Sequence, residues 1–66
     1  MQLVINTRGA FLKKEKNCFL VKNEEKIVEV SADKIDSILI TTSATITTDA
    51  IEFAVENNID IIFLDY

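Results

Sequence analysis

Sixty-six residues make one small domain, and at this length folding buries only about 60% of the surface that the unfolded chain exposes. The net charge of −4, from seven basic and eleven acidic residues, argues against unaided nucleic-acid binding, which rests on phosphate neutralisation. With no histidine and one cysteine, Cys18, the chain has no internal disulfide, no thiolate zinc site and none of the commonest general base.

The hydrophobic share of 48% is rich for the length, so oligomerisation or docking to more protein would help stability. No stretch approaches the ~18–20 apolar residues of a membrane span. The opening MQLVINTRG lacks the basic start and long apolar run of a signal peptide. Together with the lone thiol, this sets a cytoplasmic location as the expectation.

In chain order, Leu3 and Ile5 alternate with Gln2, Val4 and Asn6, which predicts a first strand. Arg8-Gly9 marks a turn, and Gly9 alone can take positive φ freely. Ala10 to Lys13 reads as a second strand and Lys14 to Asn17 as a polar hairpin turn. Cys18 to Lys22 is the third strand, with Phe19 and Val21 on one face and Cys18 and Leu20 on the other. Asn23-Glu24-Glu25 turns again, and Lys26 to Val30 is the fourth strand. Short turns between the second, third and fourth strands predict an antiparallel meander.

Ser31 to Asp36 reads as one helical turn. Ser37 to Thr41 is a fifth strand whose nearly continuous apolar run implies cover on both faces. A threonine-rich turn follows, and a helix starts at Thr47 or Thr48, where a hydroxyl can accept from an orphan N–H. Asp49 suits the positive end of the helix dipole. Ala50, Ile51, Ala54, Val55 and Asn58 fall on one arc at 100° per residue, against Asp49, Glu52 and Glu56 on the solvent arc. Phe53 sits on the flank, placed to touch something beyond the local sheet. Asn57-Asn58 stops the helix, and Asp60 to Leu64 is a last strand, parallel to the fifth if the unit is a crossover. The fold class expected is α+β, mainly β: an antiparallel meander followed by a strand-helix-strand unit, in a single domain over residues 1–66.

Three groups of residues invite a chemical reading. Asp60 and Asp65 bracket the last strand, where carboxylates can hold magnesium; solvated strand-end charge is the simpler account. Thr41, Thr42, Thr45, Thr47 and Thr48 surround a helix start, where phosphate can bind; capping and turn formation explain them more simply. Arg8, Lys13, Lys14 and Lys16 gather most of the positive charge and are candidates for contacts to a nucleic-acid backbone within a larger assembly. Ordinary turn charge is the competing account.

The opening LVINTRGAFLKKEKNCFLV, the strand and turn VKNEEKIVEVSADKID and the closing ADKIDSILITTSATITTDAIEFAVENNIDIIFLDY, taken in this order, resemble the N-terminal β-domain of the universal CRISPR-associated endonuclease/integrase, the spacer-acquisition subunit. The likeness covers essentially all 66 residues. It implies a larger helical domain after this one, bearing the glutamate, histidine and aspartate that bind a divalent metal (magnesium or manganese) for phosphodiester chemistry. No residue here corresponds to those three, so no cofactor and no catalytic residue is expected in this chain, which reads as a fragment.

The resemblance also implies a dimerisation and scaffold role, with a homodimer, a small companion subunit of the adaptation machinery and DNA as partners, and no membrane. Phe11, Phe19, Val21 and Phe53 are the candidate dimer-interface residues, with ordinary core as the competing account. The alternative function is a free-standing anion- or small-ligand-binding α/β module, with its site at the threonine turn.

Overall fold

In the computed structural model, which describes residues 1–64, two small sheets face one another, with one helix packed along one side. The described residues form seven strands: β1 Gln2–Ile5, β2 Ala10–Glu15, β3 Cys18–Lys22, β4 Ile27–Ser31, β5 Ser37–Ile40, β6 Ala44–Ile46 and β7 Asp60–Phe63. The helix, α1, spans Thr48–Glu56, and a 3-10 turn covers Ala32–Lys34. The fold class is the α+β, mainly β architecture expected from the sequence.

The meander forms as its polar turns predict. β2, β3 and β4 pair antiparallel, with Leu12 opposite Val21 and Val21 opposite Val28. The first turn is tighter than the charge run implies: β2 continues to Glu15, which pairs with Cys18, and Lys16 takes φ 56° in the two-residue loop. Asn23 closes the second turn by accepting from the N–H groups of Glu25 and Lys26 through its side-chain oxygen.

β6 lies inside what the sequence presents as a threonine-rich turn. Ala44–Ile46 adds in parallel to β2, and the four-stranded sheet has the order β4-β3-β2-β6. Ala44 and Ile46 pack against the core while Thr45 is exposed, the alternation of a half-buried strand. The Gly9 N–H donates to the Ser43 carbonyl at 2.8 Å, and the Thr47 N–H donates to the Leu12 carbonyl at 3.1 Å, clamping both ends of the pairing. Gly9 has φ +81°, which glycine adopts at no steric cost.

The other sheet is wholly parallel, in the order β1-β5-β7. The crossover through α1 makes β7 parallel to β5, as the strand-helix-strand spacing predicts. Leu3, Ile38 and Ile61 form one inward row, and Ile5 and Ile40 continue the next, which ends at Phe63, 64% exposed on the edge strand. On the outward side Val4, Leu39 and Ile62 stand in register; Val4 and Ile62 are exposed, with no element among the described residues covering them. The expectation that both faces of the fifth strand are covered is therefore met on one face only within the described chain.

The helix buries a different arc from the one that periodicity selects. Ala50, Phe53 and Ala54 are buried, whereas Ile51 is 38% and Val55 68% exposed. Packing partners decide this: the small Ala50 and Ala54 let α1 approach the sheet, and the Phe53 ring lies 5.0 Å from that of Phe19 at a 45° tilt. The core also takes in Leu3, Ile5, Leu12, Ile35, Ile38, Ile40 and Ile59, and no charged or polar residue is buried among those described.

Candidate functional site

The helix start is capped by its own residues. Thr47 has extended φ/ψ of −78° and 154°, and its hydroxyl accepts from the Ala50 N–H at 3.3 Å while donating to Asp49. That hydroxyl bond is the main influence holding the Asp49 carboxyl below the usual carboxylate range; desolvation opposes it, and the N–H groups of Ala50 and Asp49 and the charge of Lys14 add to it. A carboxylate of the chain thus sits where an external anion would bind, which removes the physical basis of the phosphate-site reading.

The carboxylates do not gather either. Among the described residues no group of three or more histidine, cysteine, aspartate or glutamate side chains is placed to hold a metal. Asp60 is exposed at the start of β7, and Asp65 lies outside the described residues.

The four basic candidates are dispersed rather than brought together. Arg8 lies in the turn before β2 and Lys16 in the turn after it; β2 alone separates them by about 17 Å at the rise of an extended strand. Lys13 and Lys14 are neighbours in the strand and so point to opposite faces. Lys13 faces outward beside Glu15, with Nζ–Oε2 at 3.9 Å, and Lys14 reaches over the Phe53 ring, 5.2 Å from its centroid. Clustering in sequence does not become a basic patch here, because strand geometry separates what adjacency suggests.

The aromatic candidates divide as well. Phe19 is fully buried and Phe53 is 7% exposed, so both belong to the chain's own core. Phe11 and Val21 are half-buried, Phe11 on the outward face of the four-stranded sheet and Val21 on the inward one.

What the sequence reading missed is the open side of the fold. Helix α1 closes one side; opposite it, β1 and β4 end their sheets with no neighbour among the described residues. An apolar groove of about 200 Å³ runs between them, lined by Leu3, Val4, Ile5, Ala10, Val21 and Val28, with Asn6, Asn23 and Lys26 at its rim. Ile27 is 64% and Val28 38% exposed beside it. The available signal was Ile27-Val28 itself: two consecutive apolar residues in a strand cannot both face one core.

The model of the family described as CRISPR associated protein Cas1 matches residues 3–66. The chain belongs to the Cas1 family. It is 40% identical over 63 residues to the CRISPR-associated endonuclease Cas1 2 of Saccharolobus solfataricus, covering 96% of this chain and 20% of that protein. The fold recurs in a partial Cas6-RT-Cas1–Cas2 complex, with a TM-score of 0.91 at 20% identity over 98% of this chain and 20% of the other. It recurs also in a TtCas1–DNA complex, with a TM-score of 0.72 at 14% identity over 85% and 21%. This Cas1-family chain spans about a fifth of the length of the relatives it matches. No helix among the described residues is long and apolar enough to cross a membrane.

Proposed function

We propose that these 66 residues form a non-catalytic dimerisation and scaffold domain of a Cas1 protein acting in CRISPR spacer acquisition, in the cytoplasm. The observation that carries this reading is the family match over residues 3–66, joined to a domain whose described acidic residues do not converge. A divalent metal, magnesium or manganese, and the phosphodiester chemistry it supports belong in this reading to residues outside these 66. The partners proposed are a second copy of the chain, a Cas2-type companion and DNA; the Cas2-containing and DNA-containing complexes that share the fold support them.

Physical chemistry supports the pairing role independently. The domain is small and leaves Val4, Ile27, Val28, Ile51, Val55 and Phe63 exposed, and unprotected strand edges are templates for association. Sedimentation of the 66-residue chain tests the reading: dimers are expected at micromolar to millimolar concentration. No cleavage or joining of DNA is expected with magnesium or manganese. A strict monomer at high concentration, or metal-dependent nuclease activity of this chain alone, overturns the proposal.

A further inference from the structure

Resting on the reading of these residues as one domain of a longer Cas1 protein, we propose that the groove between α1 and β7 is where the remainder of the same polypeptide packs, through an apolar segment flanked by basic residues. The groove holds about 330 Å³ and is lined by Ile51, Val55, Ile59, Asp60, Ile61 and Phe63. Val55 is 68% and Phe63 64% exposed. Ile51 and Val55, four residues apart, share one face of the helix. β7 ends the parallel sheet with no neighbour among the described residues. Contiguous apolar side chains beside a free strand edge are a surface that native proteins cover.

Charge decides what the cover carries. No lysine or arginine follows Lys34, whereas Asp36, Asp49, Glu52, Glu56, Asp60 and Asp65 all do. Asp60 lines the groove, and Glu52 and Glu56 are exposed on α1 next to Ile51 and Val55 in sequence. Glu56 also lies in the last turn of the helix, which has no basic residue, so a negative charge meets the negative end of the helix dipole. Lysine or arginine on the covering segment offsets both. The same acidity repels phosphate, so nucleic acid is not the occupant.

Length and tethering decide among the protein occupants. The relatives at 40% and 33% identity are matched over 20% and 19% of their own length, so on this reading about four-fifths of the polypeptide lies outside these residues. Continuing after Tyr66, that remainder is joined to the chain within a few residues of Phe63, which lines the groove. A segment tethered so closely acts at an effective concentration on the order of millimolar, which a separate protein seldom reaches. A second copy seated on this groove by a two-fold contact sets the acidic rim of Glu52, Glu56 and Asp60 against itself, which like-charge repulsion disfavours.

Thiol labelling in the longer protein tests this, with each cysteine followed by mass spectrometry of its own peptide. Val55→Cys is expected to alkylate at least tenfold more slowly than Glu24→Cys, an exposed position in the turn before β4, and to do so at every protein concentration. Adding Glu56→Lys to Val55→Cys is expected to speed that labelling at least threefold. Rates at residues 55 and 24 within twofold of one another overturn the packing. Protection of residue 55 that disappears on dilution gives the groove to a second copy or a separate protein and overturns it equally, and a Glu56→Lys change without effect removes the basic flank. These outcomes leave the scaffold reading standing; a 66-residue chain that cleaves DNA with magnesium removes that reading whatever the rate at residue 55.

Discussion

The two sides of the sandwich differ in what closes them. On the helix side, α1 buries Ala50, Phe53 and Ala54, and the Phe19 and Phe53 rings meet at a 45° tilt. On the β1/β4 side the same two sheets end at free edges, with valines and isoleucines lining an open groove. Stability is thus concentrated on one side: substitutions near α1 should unfold the domain, and substitutions near β4 should leave it folded.

The sharpest break of that contrast comes from the aromatic pair. Phe53→Ala removes a buried ring and its contact with Phe19, with an expected loss of about 3–5 kcal/mol. A domain of this size has little stability to lose, so thermal or urea unfolding should show a chain largely unfolded at 25 °C. By contrast, Val28→Thr on the open side should shift unfolding by no more than about 0.5 kcal/mol in the monomer. Equal losses at the two positions would remove the division of labour.

Filling the helix interface tests the same side from the opposite direction. Ala54 is fully buried, and leucine there must push α1 from the sheet, at an expected cost of about 1–3 kcal/mol. Val55→Leu, one residue on and 68% exposed, should be close to neutral. This pair of variants reads out the helix rotation directly, because the arc Ala50, Ile51, Ala54, Val55 predicts that both positions are buried.

That rotation shows where legibility ends. The meander could be read because its turns are short, polar and local: Lys14 to Asn17 and Asn23 to Glu25 each announce a hairpin. The helix start could be read because Thr47 carries its own capping hydroxyl. β6 could not, because a three-residue strand has too few alternations to stand out, and its partner β2 lies some thirty residues earlier in a parallel pairing that no turn announces. The buried arc of α1 could not either. Ile51 and Val55 are apolar like Phe53, and only the position of Phe19 across the gap decides which residue goes inside. The dispersal of the basic candidates was partly legible, since Lys13 and Lys14 are adjacent in a strand and must diverge. The open groove depends on which edges remain unpaired, and that is settled only when the whole topology is assembled.

A smaller effect is expected at the helix start. Thr47→Ala loses the bond to the Ala50 N–H and the hydroxyl that serves Asp49, at about 1 kcal/mol, read from the urea midpoint at neutral pH. Thr48→Ala, one residue into the helix, makes no such bond in the structure and should match the native chain within about 0.5 kcal/mol.

The least of these effects is a pH dependence. Asp49 has a folded-state affinity for protons below that of the unfolded chain, chiefly because the Thr47 hydroxyl donates to its carboxylate. A lowered carboxylate value means that the unfolded state binds more protons in the acid range. The stabilisation is therefore present above the ordinary aspartate range and lost as pH falls through the folded-state value. Melting curves from pH 6 down to pH 2 should show the native chain and Thr47→Ala drawing closer together as Asp49 takes up its proton, with Asp49→Asn flattening the same part of the native profile. A gap between native and Thr47→Ala chains that stays constant across that range would mean that the hydroxyl serves only the Ala50 N–H.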